Sequence, residues 1–151
     1  MEISNKKRAR RIKKVFNLGA VLLLPILFFV WKEMDLAAAI SGGVLLLFIF
    51  TFQFAGLNYI HYLSDGEKLQ IRYYPIISFF GKEYSSIELN KKMLYKAEIK
   101  KSFLFYDLNV EVKLKKGVAE YPSLSLSALS KNDIHTIQTD LEGIIQKNSS
   151  C

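Results

Sequence analysis

The stretch DLNVEVKLKKG, Asp107–Gly117, decides how the larger part of the chain folds. Leu108, Val110, Val112 and Leu114 alternate with Asn109, Glu111 and Lys113. A period of two puts one apolar set on one face of a half-buried strand. Gly117 supplies the turn, and AEYPSLSLS (119–127) offers the partner, with Leu124 and Leu126 alternating against serines. Pro122 cannot donate to a ladder and marks an edge or a bulge.

Working outward, the same alternation recurs on the N-terminal side. Ser64-Asp65-Gly66 is a turn signal, and in EKLQIRYY (67–74) Leu69, Ile71 and Tyr73 alternate with Lys68, Gln70 and Arg72 until Pro75. Ile76–Phe80 reads as a strand end before a turn at Gly81. KEYSSIELN (82–90) sets Ile87 and Leu89 on one face, and MLYKAEIKK (93–101) repeats the pattern with Leu94, Ala97 and Ile99. On the C-terminal side the period changes. Ser130-Lys-Asn-Asp133 resembles a capping box with Asp in the Glu/Gln position. Ile134, Ile137, Leu141, Ile144 and Ile145 then fall on one helical stripe, with Lys147 in the last turn. An antiparallel sheet with one apolar face needs a cover, which this helix supplies.

The N-terminal third reads differently. Val15–Trp31 (VFNLGAVLLLPILFFVW) holds seventeen uncharged residues and Leu36–Leu57 (LAAAISGGVLLLFIFTFQFAGL) twenty-two. About 17–25 apolar residues are needed to cross a bilayer, so both are expected to be transmembrane helices. The four residues 32–35 between them would make an antiparallel hairpin. Ala38 with Gly42 and Ala39 with Gly43 would allow close helix packing. Trp31, Tyr59, His61 and Tyr62 would form an interfacial belt. A cleaved signal peptide fits less well, because Ala37-x-Ala39 sits inside the second apolar run.

The net charge of +7 is concentrated in NKKRARRIKK: residues 1–14 carry seven bases and the single acid Glu2, residues 58–151 thirteen bases and eleven acids. Lys6, Lys7, Arg8, Arg10, Arg11, Lys13 and Lys14 lie directly before the first apolar run, where they are expected to act as a topology signal and inner-leaflet anchor. The expected arrangement is a basic tail (1–14), a transmembrane hairpin (15–57) and a domain of residues 58–151. The protein would sit in an inner cell membrane as a multi-pass protein with both ends cytoplasmic. A charge confined to the tail argues against nucleic acid as partner.

Two N-terminal spans, a strand meander and a final amphipathic helix resemble the YdbS-like group of small bacterial membrane proteins with a pleckstrin-homology-like domain. GEKLQIRY, YSSIEL, DLNVEVKLKKG and SALSKNDIHTIQTDLEGI carry the resemblance, as apolar spacings rather than a diagnostic motif. The resemblance implies a membrane α+β fold in which a small PH-like antiparallel sheet, or partly open barrel, is capped by the C-terminal helix. It implies no shared enzymatic activity.

Chemistry-bearing motifs are absent from the sequence. The two histidines, His61 and His135, have no neighbour at metal-ligand spacing, and Cys151 is the single cysteine. Neither a G-x-S-x-G elbow, nor a GxGxxG loop, nor a P-loop occurs. Alternating serines read as an outward strand face, and Glu111 with Glu120 as a pair across a hairpin. Thr51 and Gln53 are the notable polar groups deep in a span, and without an ionisable group there a pump or channel acting alone is not expected. The pairs Lys91-Lys92, Lys100-Lys101 and Lys115-Lys116 fall near strand ends, where they could touch anionic headgroups or a partner. The expected function is a binding or scaffold module with no enzymatic activity and no cofactor or metal. Its partners would be the lipid bilayer and, at the domain, a protein or an anionic lipid. The alternative is an accessory or assembly subunit of a larger membrane transport or secretion complex.

Overall fold

The alternating segments become two antiparallel sheets around one shared core. In the computed structural model the described residues are 1–31, 35–78, 83–102, 105–115 and 117–149, without the side chains of Phe29, Trp31, Asp35, Ala37 and Ala38. The first sheet has the order β1 (Glu2–Ser4), β2 (Asn58–Asp65), β3 (Lys68–Pro75), β4 (Ser85–Asn90). A short 3-10 turn, Lys91–Met93, leads into the second sheet, β5 (Leu94–Ser102), β6 (Phe105–Leu114) and β7 (Gly117–Glu120), with β8 (Leu124–Ser125) also paired to β6. Three helices complete the chain: α1 (Lys6–Trp31), α2 (Asp35–Phe54) and α3 (Lys131–Ser149).

The inward faces follow the period of two. Ile60, Tyr62, Leu69, Ile71, Ile87, Leu108, Val110, Val112, Leu124 and Leu126 are all buried. α3 covers them with Ile134, Ile137 and Leu141. The capping box forms: the Asp133 backbone N–H donates to Ser130 Oγ at 3.1 Å, and Ser130 Oγ–H donates to Asp133 Oδ2 at 2.7 Å. At the other end of α3, Asn148 Nδ2 donates to the carbonyls of Lys91 and Leu94, at 2.7 and 2.9 Å, tying the helix to the joint between the sheets. Gly66, at φ +47°, makes the two-residue β2–β3 hairpin, with Asp65 opposite Lys68. Leu114 departs from its expected inward role. It ends β6 beside the turn and is exposed.

The N-terminus is woven into the first sheet. β1 pairs antiparallel with β2, Ile3 opposite Tyr62, and the Met1 ammonium donates to the Ser64 carbonyl at 2.5 Å. Asn5 is 5% exposed. Its amide Nδ2 donates to the Asn58 carbonyl and its Oδ1 accepts from the Ile60 N–H, both at 2.9 Å. The Asn5 carbonyl accepts the first α1 hydrogen bond, from Ala9 N–H at 2.8 Å, so one residue joins the strand, the sheet and the helix.

α1 and α2 correct the expected membrane architecture. Among the described residues, no helix is long and apolar enough to cross a membrane. α1 takes the basic run into the same helix, and its uncharged remainder is only seventeen residues, broken in polarity by Asn17 and carrying Pro25. α2 stops at Phe54, three residues short of the expected Leu57, and carries Ser41, Thr51 and Gln53. The transmembrane hairpin of 15–31 and 36–57 and the multi-pass inner-membrane location with cytoplasmic ends are therefore overturned. So is the interfacial belt. Tyr59, His61 and Tyr62 belong to β2, Tyr62 fully buried with its hydroxyl donating to Asp140 Oδ2 at 2.6 Å. The architecture is an α+β fold of three helices and two antiparallel sheets, in place of a membrane hairpin followed by one PH-like sheet or barrel. The expected loop at 32–35, the Trp31 ring, the turn at Gly81, and Cys151 lie, wholly or in part, outside the described residues and side chains.

α1 and α2 pack together through aromatic rings. Phe16 stacks on Phe48 at 5.6 Å between centroids, and both meet Phe52. Gly19 is the position that permits this, since a Cβ there would collide with the Phe48 ring.

Candidate anion-binding groove

Lys6, Arg10 and Lys13 recur at i, i+4 and i+7, a spacing that puts them on one face of α1. The helix is seated by Ala9 and Ile12, which pack with Ile76 and Ala128. Its basic face borders the outer surface of the first sheet. There the ladder registers align side chains across strands. Ser4, His61, Arg72 and Ser86 form one row through β1, β2, β3 and β4. Tyr59 opposes Tyr74 in the next row, and Tyr84 stands just before β4.

These groups line a groove of about 910 Å³. The Tyr59 and Tyr74 rings stack at 4.6 Å between centroids, and Tyr74 meets Tyr84 at 5.0 Å. Partial burial first, then the neighbouring Tyr59 and Tyr84 phenols, hold the Tyr74 hydroxyl above the ordinary tyrosine pKa. Tyr59 Oη lies 3.2 Å from Ser4 Oγ. His61 Nε2 is 2.8 Å from Glu2 Oε1, which accounts for that histidine as part of the β1–β2 clasp. Arg72 reaches Glu88 only at 4.0 Å, and the Glu88 carboxylate also accepts from Gln70 Nε2. Lys6, Arg10 and Lys13 have no carboxylate within ion-pair distance among the described residues. Four permanent cations therefore face one lining carboxylate, Glu88.

The other expected site residues scatter. Arg8 turns away from the groove and donates from Nη1 to the Leu129 carbonyl at 2.9 Å. Lys7, Arg11 and Lys14 are exposed and outside the groove lining. Lys92 pairs with Glu67 at 2.9 Å, and this contact holds the Glu67 carboxyl below its ordinary pKa. Lys100 lies 3.9 Å from Glu98, Lys101 stands 5.9 Å from the centre of the Tyr106 ring, and Lys91 and Lys115 lie away from the groove. Lys116 is outside the described residues. Of the small residues on α2, Gly42 faces α1, with Leu27 3.6 Å from where its Cβ would be. Gly43 meets nothing within 4 Å. Ala39 is exposed and the side chain of Ala38 lies outside the described ones.

Few of the remaining polar groups are arranged for covalent chemistry. Ser125 and Ser127 hydroxyls lie 3.0 Å apart, and Ser127 Oγ also accepts from the Tyr106 N–H. They are half-buried rather than an open outward face. Glu111 and Glu120 are direct cross-strand partners, and Lys96 lies 3.8 Å from Glu111. His135 is exposed. Among the described residues, no three of His, Cys, Asp and Glu gather as metal ligands. No family model, curated protein or solved structure matches the chain. The resemblance to the YdbS-like group thus rests on the apolar spacings alone.

Sequence reading treated the seven bases as one tail and so missed the groove. The i, i+4, i+7 spacing of Lys6, Arg10 and Lys13 was the available signal. The strand contributions become neighbours only through register.

Proposed function

We propose that the chain is a non-catalytic binding module that docks by its two-helix arm into a larger protein assembly and carries the sheet domain beside it. The observation that carries this reading is the exposed apolar surface of the arm. Leu18, Val21, Leu22, Leu24, Ile26 and Phe28 of α1, with Leu36, Ile40, Leu46, Leu47, Phe50 and Phe54 of α2, are each more than half exposed. Contiguous apolar patches above a few hundred Å² mark interaction sites, and a helix apolar all round needs cover on every side. Two amides favour protein as that cover. Asn17 and Gln53 are exposed on the arm and make no side-chain hydrogen bond to the described residues. A protein partner can satisfy them, whereas hydrocarbon would leave them unpaired at a cost of roughly 2–7 kcal/mol each. This reading keeps the accessory-subunit alternative and drops the spanning hairpin.

A photo-crosslinking residue placed at Leu22 or Leu47 tests it in the native host. The expected product is a discrete protein adduct, formed at both positions with the same partner and lost when Asn17 and Gln53 are both changed to alanine. Crosslinks to lipid alone, with no protein adduct from either position, would overturn the reading.

A further inference from the structure

We propose that the groove between the basic face of α1 and the outer face of the first sheet binds a small solute carrying two or more phosphate groups. The site lies at the N-terminal end of α1, apart from the exposed apolar surface on which the docking reading rests, and does not depend on that reading.

The geometry sets the size of the ligand. Lys6 and Lys13 are seven residues apart on one helical face, so the cations extend over roughly 10 Å. One phosphate is too small to meet all three, and a chain of linked phosphates is not. Arg72 closes the other wall, and a guanidinium offers paired donors that match phosphate oxygens. Its only ion pair among the described residues, with Glu88, is long at 4.0 Å. Ser86, in the same outward row as Arg72, adds a hydroxyl donor on that wall. Among the described residues no carboxylate lies within ion-pair distance of Lys6, Arg10 or Lys13, so a polyanion would relieve their mutual repulsion.

Extent decides against a polymer. The basic lining ends at Glu88 on the sheet and at the Glu2–His61 pair towards the N-terminal strand. Residues 58–151 carry thirteen bases against eleven acids, so the basic surface does not run on across the sheet domain, and Lys7, Arg11 and Lys14 extend it only around α1. A short polyphosphate fits within these bounds and a long strand of nucleic acid does not. Tyr84, 72% exposed at the end of the tyrosine stack, offers an open ring face beside the cations. A solute with a planar group attached to its phosphates would gain stacking there.

The test is calorimetric titration of the full chain, held in a mild non-ionic detergent, with orthophosphate, pyrophosphate and tripolyphosphate. The two linked phosphates are expected to bind at least roughly ten-fold more tightly than orthophosphate, the gain of one further charge-assisted contact. The double variant Arg10→Gln/Lys13→Gln is expected to lose roughly ten-fold or more of that affinity. Arg11→Gln/Lys14→Gln removes the same charge from outside the groove and should change it by less than about three-fold. All four positions are exposed, and circular dichroism checks that both variants keep the fold. Equal losses in the two double variants would reduce the effect to net charge and overturn the site. So would absence of binding by either linked phosphate. Binding confined to phosphatidylcholine vesicles doped with phosphatidic acid, or to a single-stranded oligonucleotide, would overturn the small-solute assignment.

Discussion

The sheet domain and the helical arm solve opposite problems with the same apolar residues. In the domain, Ile60, Leu69 and Ile71 are completely buried between two sheets and α3. In the arm, Leu22, Leu47 and Phe54 are 59%, 69% and 77% exposed. Apolar content is therefore a poor guide to where stability resides. Alternation with a period of two lets a sheet bury one face and wet the other, so the domain closes on itself. The arm's residues point all ways around two helices, and the pair covers little beyond the seam where Phe16 and Gly19 meet Phe48 and Phe52 and Leu27 meets Gly42. The domain buries its own apolar faces, whereas the arm leaves most of its apolar side chains exposed, the surface on which the proposed docking rests. Substitutions should therefore separate the two regions, one through folding and the other through association.

The largest effect is expected in the core. Ile71→Ala removes a fully buried side chain from the centre of β3, with Tyr62 and Ile87 opposite it on the neighbouring strands. A cost of about 2–5 kcal/mol follows from the lost transfer energy and the cavity left behind. Urea unfolding of the full chain, followed by the β-sheet circular dichroism signal, measures it. A loss under about 1 kcal/mol would mean the two sheets do not share one tightly packed core.

A middle-sized effect should come from the polar link between domain layers. Tyr62 is buried on β2 and donates to Asp140 on α3 at 2.6 Å. Tyr62→Phe keeps the ring and removes the bond, at an expected cost of about 1 kcal/mol. The pH dependence gives a second reading. Burial, followed by the Asp140 carboxylate, pushes the Tyr62 hydroxyl well above its ordinary pKa. The folded state thus favours the neutral phenol. Its stabilising contribution is fully present below the unfolded pKa of about 10 and is lost as pH rises through the higher folded value. The native chain should lose stability above about pH 10 more steeply than Tyr62→Phe. Parallel alkaline profiles would remove Tyr62 from the linkage.

The same contrast explains what was legible in the sequence. Periodicity located the strands around Leu69–Ile71, Ile87–Leu89 and Leu108–Val112, and the stripe of α3 with its Ser130–Asp133 cap. Each of these is a local pattern with a local physical cause. β1 was not legible, because three residues ahead of a basic run carry no period. β2 was hidden by continuity. Its Ile60 and Tyr62 alternate correctly, but they follow the apolar run so closely that they read as its edge. The break lies at Gly56, whose φ of +56° turns the chain from α2 towards β2. The arm was legible as two antiparallel apolar helices but misassigned as a membrane span, since composition reports how apolar a surface is and not what covers it. Its close packing was expected at Ala38, Ala39, Gly42 and Gly43 of α2, of which Gly42 faces Leu27 of α1, while the glycine under a ring is Gly19 of α1. The groove was the least legible part. Lys6, Tyr59, Arg72 and Tyr84 are far apart in sequence and meet only through strand register and the seating of α1.

The smallest effect on folding separates the two regions most sharply, and it comes from adjacent residues. Phe48 lies against Phe16 and Phe52 in the seam of the arm, while Leu47 beside it is 69% exposed. A helix turns about 100° per residue, so neighbours in sequence face different surroundings. Leu47→Ala should leave urea stability within about 0.5 kcal/mol, because most of that side chain is already exposed in the folded chain. Phe48→Ala should loosen the hairpin, raising amide hydrogen exchange in α1 and α2 while β2–β6 exchange stays unchanged. If Leu47→Ala instead destabilised the chain as much as a core truncation, that side chain would be buried within the chain itself. The arm would then be a layer of the domain, and the division between a self-sufficient sheet domain and an arm awaiting a partner would fail.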